Sequence, residues 1–482
     1  MRILLVQPES HYGRVGFRLA AMPEPLALEI LAATVPDHEV AILDLRLEAD
    51  LDGVLESFAP DVVGVTALTT DVYAAREVLA AARARAPEIF TVVGGHHATL
   101  LPQDFQLPYV DAVCLGEGEL VFPQLIAALS AERSLREVPN LVWQDDDGRF
   151  VHNGRDIPAL DMDALPLPRR DLVDRYRSEY FWLFHQPESA VATGRGCPYR
   201  CNFCSVWEFF RGKTRQMSAG RVVDEVRAVS TEHMTFLDDN FIISGRREAE
   251  IARRIKAEGI RHRYSMECRT DAIVRRPELI EQWVEIGLWG ALLGLEGASD
   301  RTLASVNKKN TARTNDEAIR ILHSLGQVIW GAFIVDPDWT ADDFKALRDY
   351  VEKMNLGFLQ FTVLTPLPGT QLYRERHHEL LTDDYTCFDA LHSVLPTRLP
   401  REEFYRHYAE LYRPTGVEPY HELVRQGAMS MEDFKRGYKM LQDMTRWELY
   451  AENDPVLRDK RKALDSAAAP EPCHITRPSS RP

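Results

Sequence analysis

The chain has 482 residues, and length alone suggests about two to four domains. Its formal net charge of −16 argues against nucleic-acid binding as the main task, because phosphate contact needs a basic surface. The composition is 45% hydrophobic and 27% charged, with seven cysteines. That excludes a disulfide scaffold, and no apolar run approaches the length of a membrane span.

The start, "MRILLVQPES", is a short apolar run ending at Pro8 with no small-residue cleavage site, so a cytoplasmic enzyme is expected. Apolar β-rich runs follow at 2–8, 39–45, 61–67, 90–95 and 110–119. Helix-like segments at 25–35, 51–59 and 71–86 separate them. Uninterrupted apolar strands belong to a parallel sheet covered on both faces, so residues 1–135 read as a doubly wound α/β domain. Ligands of such folds bind beyond the carboxyl ends of the strands. Two Gly-rich ends lie there, "GGHHAT" (94–99) and "GEGE" (116–119).

Residues 136–185 read as a linker with a small hairpin that turns at Asp147 and Gly148. A second alternation fills 186–383. Its strands are expected at 189–193, 234–240, 264–269, 290–296, 328–335 and 359–365, with helices such as 247–259 and 314–326 between them. Six β/α units make a barrel or open barrel, whose polar residues at the carboxyl ends of strands are site candidates. Residues 384–464 turn helical, with Phe404, Tyr408 and Leu411 spaced as a core-facing stripe. The tail 465–482 is small, polar and Pro-rich, and disorder is expected.

Three cysteines, Cys197, Cys201 and Cys204, stand within eight residues in "CPYRCNFC". Thiolates at such short spacing let one loop wrap an iron–sulfur cluster. Three ligands for four irons leave one iron open to a substrate or cofactor. A zinc site completed by a distant His is the alternative on spacing alone. Cys114 and Cys268 sit in strand-like runs and read as core.

The cluster follows the first strand of the second α/β unit, with Phe203 before the last cysteine. This pattern resembles the radical S-adenosylmethionine (SAM) superfamily. "FLDDNF" (236–241), "ECRTD" (267–271), "GLEGAS" (294–299), "VNKKNT" (306–311) and "LTPLPGT" (364–370) resemble its later motifs, in order. The resemblance implies a [4Fe–4S] cluster on Cys197, Cys201 and Cys204, with SAM on the open iron. It assigns cofactor contacts to Phe203, Asp238, Arg269, Glu296, Thr365 and Pro366, with the Glu296 carboxylate helping to hold SAM. It also implies a reducing partner such as flavodoxin or ferredoxin, a small-molecule substrate and no nucleic acid.

The N-terminal unit resembles the cobalamin-binding domain that precedes many of these enzymes. Gly94 and Gly95 would let backbone approach a large flat ligand, and Thr66 and Thr99 would bond its nucleotide tail. His97, Gly116 and Glu117 belong to the same set. The Asp-x-His-x-x-Gly signature of His-ligated cobalamin is missing, since the chain reads "DLRLEAD" after the second strand. A fold kept as a scaffold without cofactor is the alternative reading.

The whole chain thus reads as α/β: a doubly wound parallel sheet, a partial (β/α)6 radical SAM barrel and a helical C-terminal extension. "IVDPDWTADDF" (334–344) and the segment 380–405 are similar to hopanoid C-3 methyltransferases, which implies cobalamin-dependent methylation of an unactivated carbon. The alternative is radical dehydration of a diol in an aminoglycoside-type sugar, for which a polyamine would suit so acidic a chain. Acid–base chemistry would then fall to Asp239, Glu267, Asp336 or Asp338. A non-enzymatic electron carrier is a third reading, tested by whether SAM binds.

Overall fold

The computed structural model describes residues 1–9, 20–154, 160–183, 185–413, 424–425 and 430–458. The tail from 465 and Cys473 lie outside the described residues.

The first sheet has five parallel strands: β1 (Arg2–Gln7), β2 (Glu39–Asp44), β3 (Val62–Thr66), β4 (Phe90–Gly94) and β5 (Ala112–Cys114). Their order in space is β2-β1-β3-β4-β5. Side chains of a strand alternate between faces, and β1 shows the consequence. Ile3 and Leu5 pack with Leu28 and Phe122 on one face, whereas Leu4 and Val6 pack with Leu55 and Leu79 on the other. The first face is covered by α1 (Leu26–Ala33), the second by α2 (Leu51–Phe58) and α3 (Val72–Arg85).

A short helix α4 (His96–Leu100) follows β4, and α5 (Gly118–Ser130) follows β5. The run expected as strand over 110–119 therefore gives only three strand residues before the chain turns into α5. The hairpin expected in the connection is not free-standing. Its strands extend the first sheet: β6 (Leu141–Gln144) pairs antiparallel with β5, and β7 (Phe150–His152) pairs antiparallel with β6 at the edge.

The second sheet is β8 (Glu188–Val191), β9 (His233–Phe236), β10 (Arg263–Cys268), β11 (Leu288–Glu296), β12 (Val328–Val335) and β13 (Phe358–Val363). All six are parallel and lie in sequence order, so β8 and β13 are the two edges of an open barrel. Helices α6 (Ala219–Arg227), α7 (Arg246–Glu258), α8 (Pro277–Ile286), α9 (Ala312–Ser324) and α10 (Ala341–Lys353) alternate with them. The helix-facing residues, among them Phe236, Met266, Leu293, Phe333 and Phe361, share one apolar core with these helices.

The C-terminal helices include α11 (Arg401–Leu411), α12 (Met431–Met444) and α13 (Trp447–Asn453). Phe404, Tyr408 and Leu411 are buried in that same core, as their spacing predicts. Tyr408 and Tyr412 donate their hydroxyls to the Phe361 carbonyl at 2.7 and 2.9 Å, so the extension buttresses β13. No helix among the described residues is long and apolar enough to cross a membrane.

Candidate functional site

The cysteine loop starts from a two-residue ribbon, Gly194–Arg195 paired with Arg215–Gln216, just beyond β8. Gly196 then takes φ +82°, and a Cβ there would stand 2.2 Å from the Lys213 carbonyl, so only glycine fits. Its N–H is held by Asp239 Oδ2 at 3.1 Å.

The loop is pinned from the barrel mouth. Asn202 Nδ2 donates to the Ser305 carbonyl at 3.0 Å, Asn307 Nδ2 donates to the Arg200 carbonyl at 2.6 Å, and Leu372 N–H donates to the Asn202 carbonyl at 2.9 Å. Phe203 packs on Val306, Ile334, Leu364 and Leu372, which anchors the loop.

Cys197, Cys201 and Cys204 carry free thiols, and Cys201 is buried. Burial raises all three, Cys204 to about 12; for Cys197 and Cys201 the charges of Arg269 and Lys308 pull the other way. Thiolates in such a pocket need positive charge beside them. Three thiols on one loop, two of them in the field of Arg269 and Lys308, are the donor set of a cluster with one open iron, and among the described residues they are not gathered into a metal-ready group.

Glu296 ends β11 at a bulge, in the left-handed region at φ +59°. A non-glycine residue there costs on the order of 1–3 kcal/mol, and such strain gathers at functional sites. Its Oε1 accepts from Lys308 Nζ at 2.7 Å. Arg269 stacks 3.5 Å above the Tyr199 ring, pairs with Asp271 Oδ1 at 2.9 Å and donates to the Lys308 carbonyl at 3.0 Å.

Other expected contacts take structural positions instead. Asp238 is sealed inside, accepting from the Thr193 N–H at 3.0 Å and the Thr193 hydroxyl at 2.9 Å, and burial pushes it up to about 7. Thr365 donates to the Val363 carbonyl at 2.9 Å, and Pro366 beside it is buried.

A cavity of about 380 Å³ opens at the carboxyl ends of β3, β4 and β5. Thr66, Gly94, Gly95, Gly116 and Glu117 line one wall, and Gly194, Arg195, Phe209 and Asp239 line the side toward the barrel. Its deep end is apolar, between Leu5, Leu28, Val92 and Phe122. Gly95 has φ +96°, and a Cβ on it would come within 2.7 Å of Thr66 Oγ1. This glycine shelf over an apolar slot fits the nucleotide tail of a corrinoid.

Two residues assigned there turn away. Thr99 is buried, donates to the Gly95 carbonyl and accepts from the Gly116 N–H, both at 2.9 Å, so its hydroxyl ties two shelf loops together. His97 is buried against Asp104 Oδ2 at 2.9 Å and packs edge-on to Tyr385. Its neighbour His96 stacks on Phe209 at 4.7 Å, and burial lowers it to about 4.

The acid–base candidates separate clearly. Asp239 stands between cavity and cysteine loop, and burial raises it. Glu267 faces the barrel lumen; burial, then Asp239 and Asp238, push it up to about 7. Asp336 accepts from the Asp338 N–H at 3.0 Å, a loop cap. Asp338 is 67% exposed and points outward, which removes it from the site.

Sequence reasoning passed over Arg195, Arg215, Glu119 and Lys308. Arg195 binds Glu117 at 3.0 Å and also Glu119, and Arg215 binds Glu117. These buried pairs join the "GEGE" turn of the first sheet to the residue two before Cys197. Glu117 is thereby a link between units and not a free ligand. The signal was present as two acids and two arginines, but nothing in the sequence pairs them.

The family model for the B12 binding domain matches residues 15–126, and that of the radical SAM superfamily matches 191–351. The chain is 33% identical over 417 residues to the hopanoid C-3 methylase of Methylococcus capsulatus, covering 84% of this chain and 78% of that one. It is 32% identical to an uncharacterized methyltransferase of Pyrococcus horikoshii, covering 82% of this chain and 88% of that one.

Among solved structures, the cobalamin-dependent SAM radical enzyme OxsB, with aqua-cobalamin and SAM bound, superposes with TM-score 0.67 at 17% identity, over 98% of this chain and 82% of that one. The methyltransferase TsrM of Kitasatospora setae, with cobalamin and a [4Fe–4S] cluster bound, gives 0.61 at 20% identity, over 78% and 74%. Both share the fold.

Proposed function

The chain belongs to the radical SAM superfamily, in the branch with a B12-binding domain, and we propose that it methylates an unactivated carbon of a small-molecule natural product held inside the barrel. It is an enzyme of the methyltransferase type, and its cofactors are a [4Fe–4S] cluster, SAM and cobalamin.

When bound, the cluster with SAM supplies a hydrogen-abstracting radical, and the corrinoid supplies the methyl group. The chain's own residues bind and orient. Cys197, Cys201 and Cys204 would hold the cluster on a loop that Asn202 and Asn307 pin to the barrel. Glu296 and Lys308 present one acceptor and one donor for the two ends of an amino acid. Gly94, Gly95 and Thr66 would carry the corrinoid, and Asp239 separates it from the cysteine loop.

The observation that carries the reading is the cavity itself, which has one wall from the B12-binding unit and the other from the barrel mouth. A corrinoid held there would contact residues of both units. Loss of water from a diol has no observation of its own in its favour and becomes an outcome of the test.

We take the chain to act in the cytoplasm with an acidic one-electron donor such as flavodoxin or ferredoxin. Exposed Arg200, Arg211, Lys213 and Lys309 near the cysteine loop suit such a donor. We also place the end of the first unit after His152, where its sheet ends, instead of at residue 135.

The test is anaerobic reconstitution with iron, sulfide and cobalamin, then turnover with SAM labelled in its methyl group. A co-purifying corrinoid and a product carrying the label support methylation. Full activity without corrinoid, giving an unlabelled dehydrated product, overturns it.

A further inference from the structure

Strand register sets two levels in the sheet wall of the corrinoid cavity. In-register residues of parallel strands share a face, and alternate residues along a strand return to it. Leu5 of β1 is in register with Gly64 of β3, and Gly64 with Val92 of β4. These three line the deep level. Two residues further on, Thr66 is in register with Gly94, and a Cβ on Gly94 would stand 3.7 Å from the Cys114 Cβ. Thr66, Gly94 and Cys114 line the outer level, beside the Gly95 and Gly116 shelf. The facing wall is Leu28 and Leu31 of α1 and Phe122 of α5.

The deep level offers no hydrogen bond. Its side chains are aliphatic or aromatic, and Leu5, Leu28, Val92 and Phe122 belong to one apolar core. Its backbone is used by the sheet. Leu5 pairs with Ile42 and Gly64, and Val92 pairs with Gly64 and Ala112, so N–H and C=O groups point along the sheet to neighbouring strands. At the outer level the Cys114 thiol stays neutral, since burial pushes it up to about 12. The charged lining groups are engaged elsewhere: Glu117 and Glu119 with Arg195, and Asp239 with the Gly196 N–H.

Resting on the B12-binding reading above, we propose that this slot selects its corrinoid by the base at the end of the nucleotide tail, taking a benzimidazole or a phenol ring and discriminating against a purine. A dimethylbenzimidazole detached from cobalt presents a fused benzene ring with two methyl groups, whose burial against Leu5, Leu28, Val92 and Phe122 is favourable. A phenol-derived ring carries no ring nitrogen. Adenine carries an exocyclic amine and further ring nitrogens where the benzimidazole has C–H and methyl groups. In this slot those groups lose water and gain no partner. The outer level, with the Thr66 hydroxyl and the glycines, is left to the ribose and phosphate of the tail.

The experiment uses the full chain, anaerobically reconstituted with its cluster, and measures dissociation constants by equilibrium dialysis for cobalamin, p-cresolyl cobamide and adeninyl cobamide. All are kept as cob(I)amides, in which cobalt has no axial ligand and the base is detached, so the cost of detaching it does not enter. Cobalamin and the p-cresolyl form are expected to bind within about tenfold of one another. The adeninyl form is expected to bind about tenfold or more weakly than cobalamin, the effect of one buried group left without a partner. Gly64→Val is the matching variant. A Cβ there would stand 2.9 Å from Leu5 Cδ2 and 3.6 Å from Val92 Cγ1, so valine crowds the deep level. It is expected to weaken cobalamin binding about tenfold or more, with a thermal melt to show that it is folded. Where it does not fold, the series of bases in the parent chain decides.

An adeninyl form that binds as well as cobalamin, or less than about tenfold more weakly, overturns the proposal. A p-cresolyl form that falls further than that below cobalamin overturns it too, since the slot would then read the benzimidazole itself. Unchanged cobalamin binding in folded Gly64→Val puts the base elsewhere and has the same result. If no cobamide binds while cluster absorption and 5′-deoxyadenosine formation persist, the B12-binding reading falls as well. If all three bind alike, that reading stands and only the selection of the base is wrong.

Discussion

Lys308 Nζ lies 2.7 Å from Glu296 Oε1, and both side chains are about nine-tenths buried at the mouth of the barrel. Glu296 holds a left-handed backbone to make that contact. A buried pair of this kind costs desolvation on both partners and tolerates the loss of neither. Lys308→Met is expected to lower stability by about 3–5 kcal/mol, because it leaves the carboxylate buried alone. Adding Glu296→Leu in the same chain should recover most of that loss in a thermal melt. SAM binding, followed by equilibrium dialysis, should stay weak in the double variant. Recovery of both together would show that the pair is structural only.

Arg195 joins the two units. Arg195→Met leaves Glu117 with Arg215 alone and Glu119 without its arginine, so about 3–5 kcal/mol of stability should go. The sharper readout is coupling. With the cysteine loop freed from the corrinoid shelf, 5′-deoxyadenosine should outrun methylated product, whereas in the parent chain the two should keep a fixed ratio.

Each of Cys197→Ala, Cys201→Ala and Cys204→Ala should lose the visible absorption and the iron of the [4Fe–4S] cluster after reconstitution. Corrinoid binding should persist, because the cavity shelf is built from the first sheet. Cys114→Ala, in the core of that sheet, should keep the cluster and lower stability. Retained iron in any of the three loop variants would move the ligand assignment elsewhere.

Glu188 makes the chain sensitive to pH. Burial pushes its carboxyl up from 4.5 to about 8. The folded protein therefore keeps a proton that the unfolded chain releases above about pH 4.5. By linkage, the contribution of this carboxyl to stability is fully present below that pH and is lost as pH rises to about 8. Glu188→Gln should flatten the fall, melting near the parent temperature at the acid end and above it at the alkaline end. Parallel curves across the range would show that this carboxyl does not titrate with folding.

The alternation of apolar runs placed nearly every strand of both sheets, because buried parallel strands leave a period and a composition that survive without the fold. The cysteine spacing and the strand-end motifs placed the cluster loop for the same reason, since one short segment carries the whole signal. The hairpin at 141–152 was legible as a hairpin, but its place on the edge of the first sheet was not. A hairpin's local turn says nothing about which edge it joins.

Within one motif, "GGHHAT", Gly94 and Gly95 line the cavity, whereas the His97 and Thr99 side chains are engaged elsewhere. The glycines act through backbone, which the local sequence dictates. His97 is drawn inward by Asp104, whose carboxylate also meets Tyr385 Oη at 2.7 Å from a residue 281 positions away. Asp336 and Asp338 show the same division: neighbours in sequence, one in the loop and the other facing solvent.

The sequence by itself determined the two α/β units, the three thiols on one loop and the glycine shelf, because each rests on residues close together in the chain. Only the tertiary structure decided that Glu117 serves Arg195 and that Glu296 serves Lys308. Charges find partners through strand register and through the packing of one unit on the other. Neither is encoded in any short stretch.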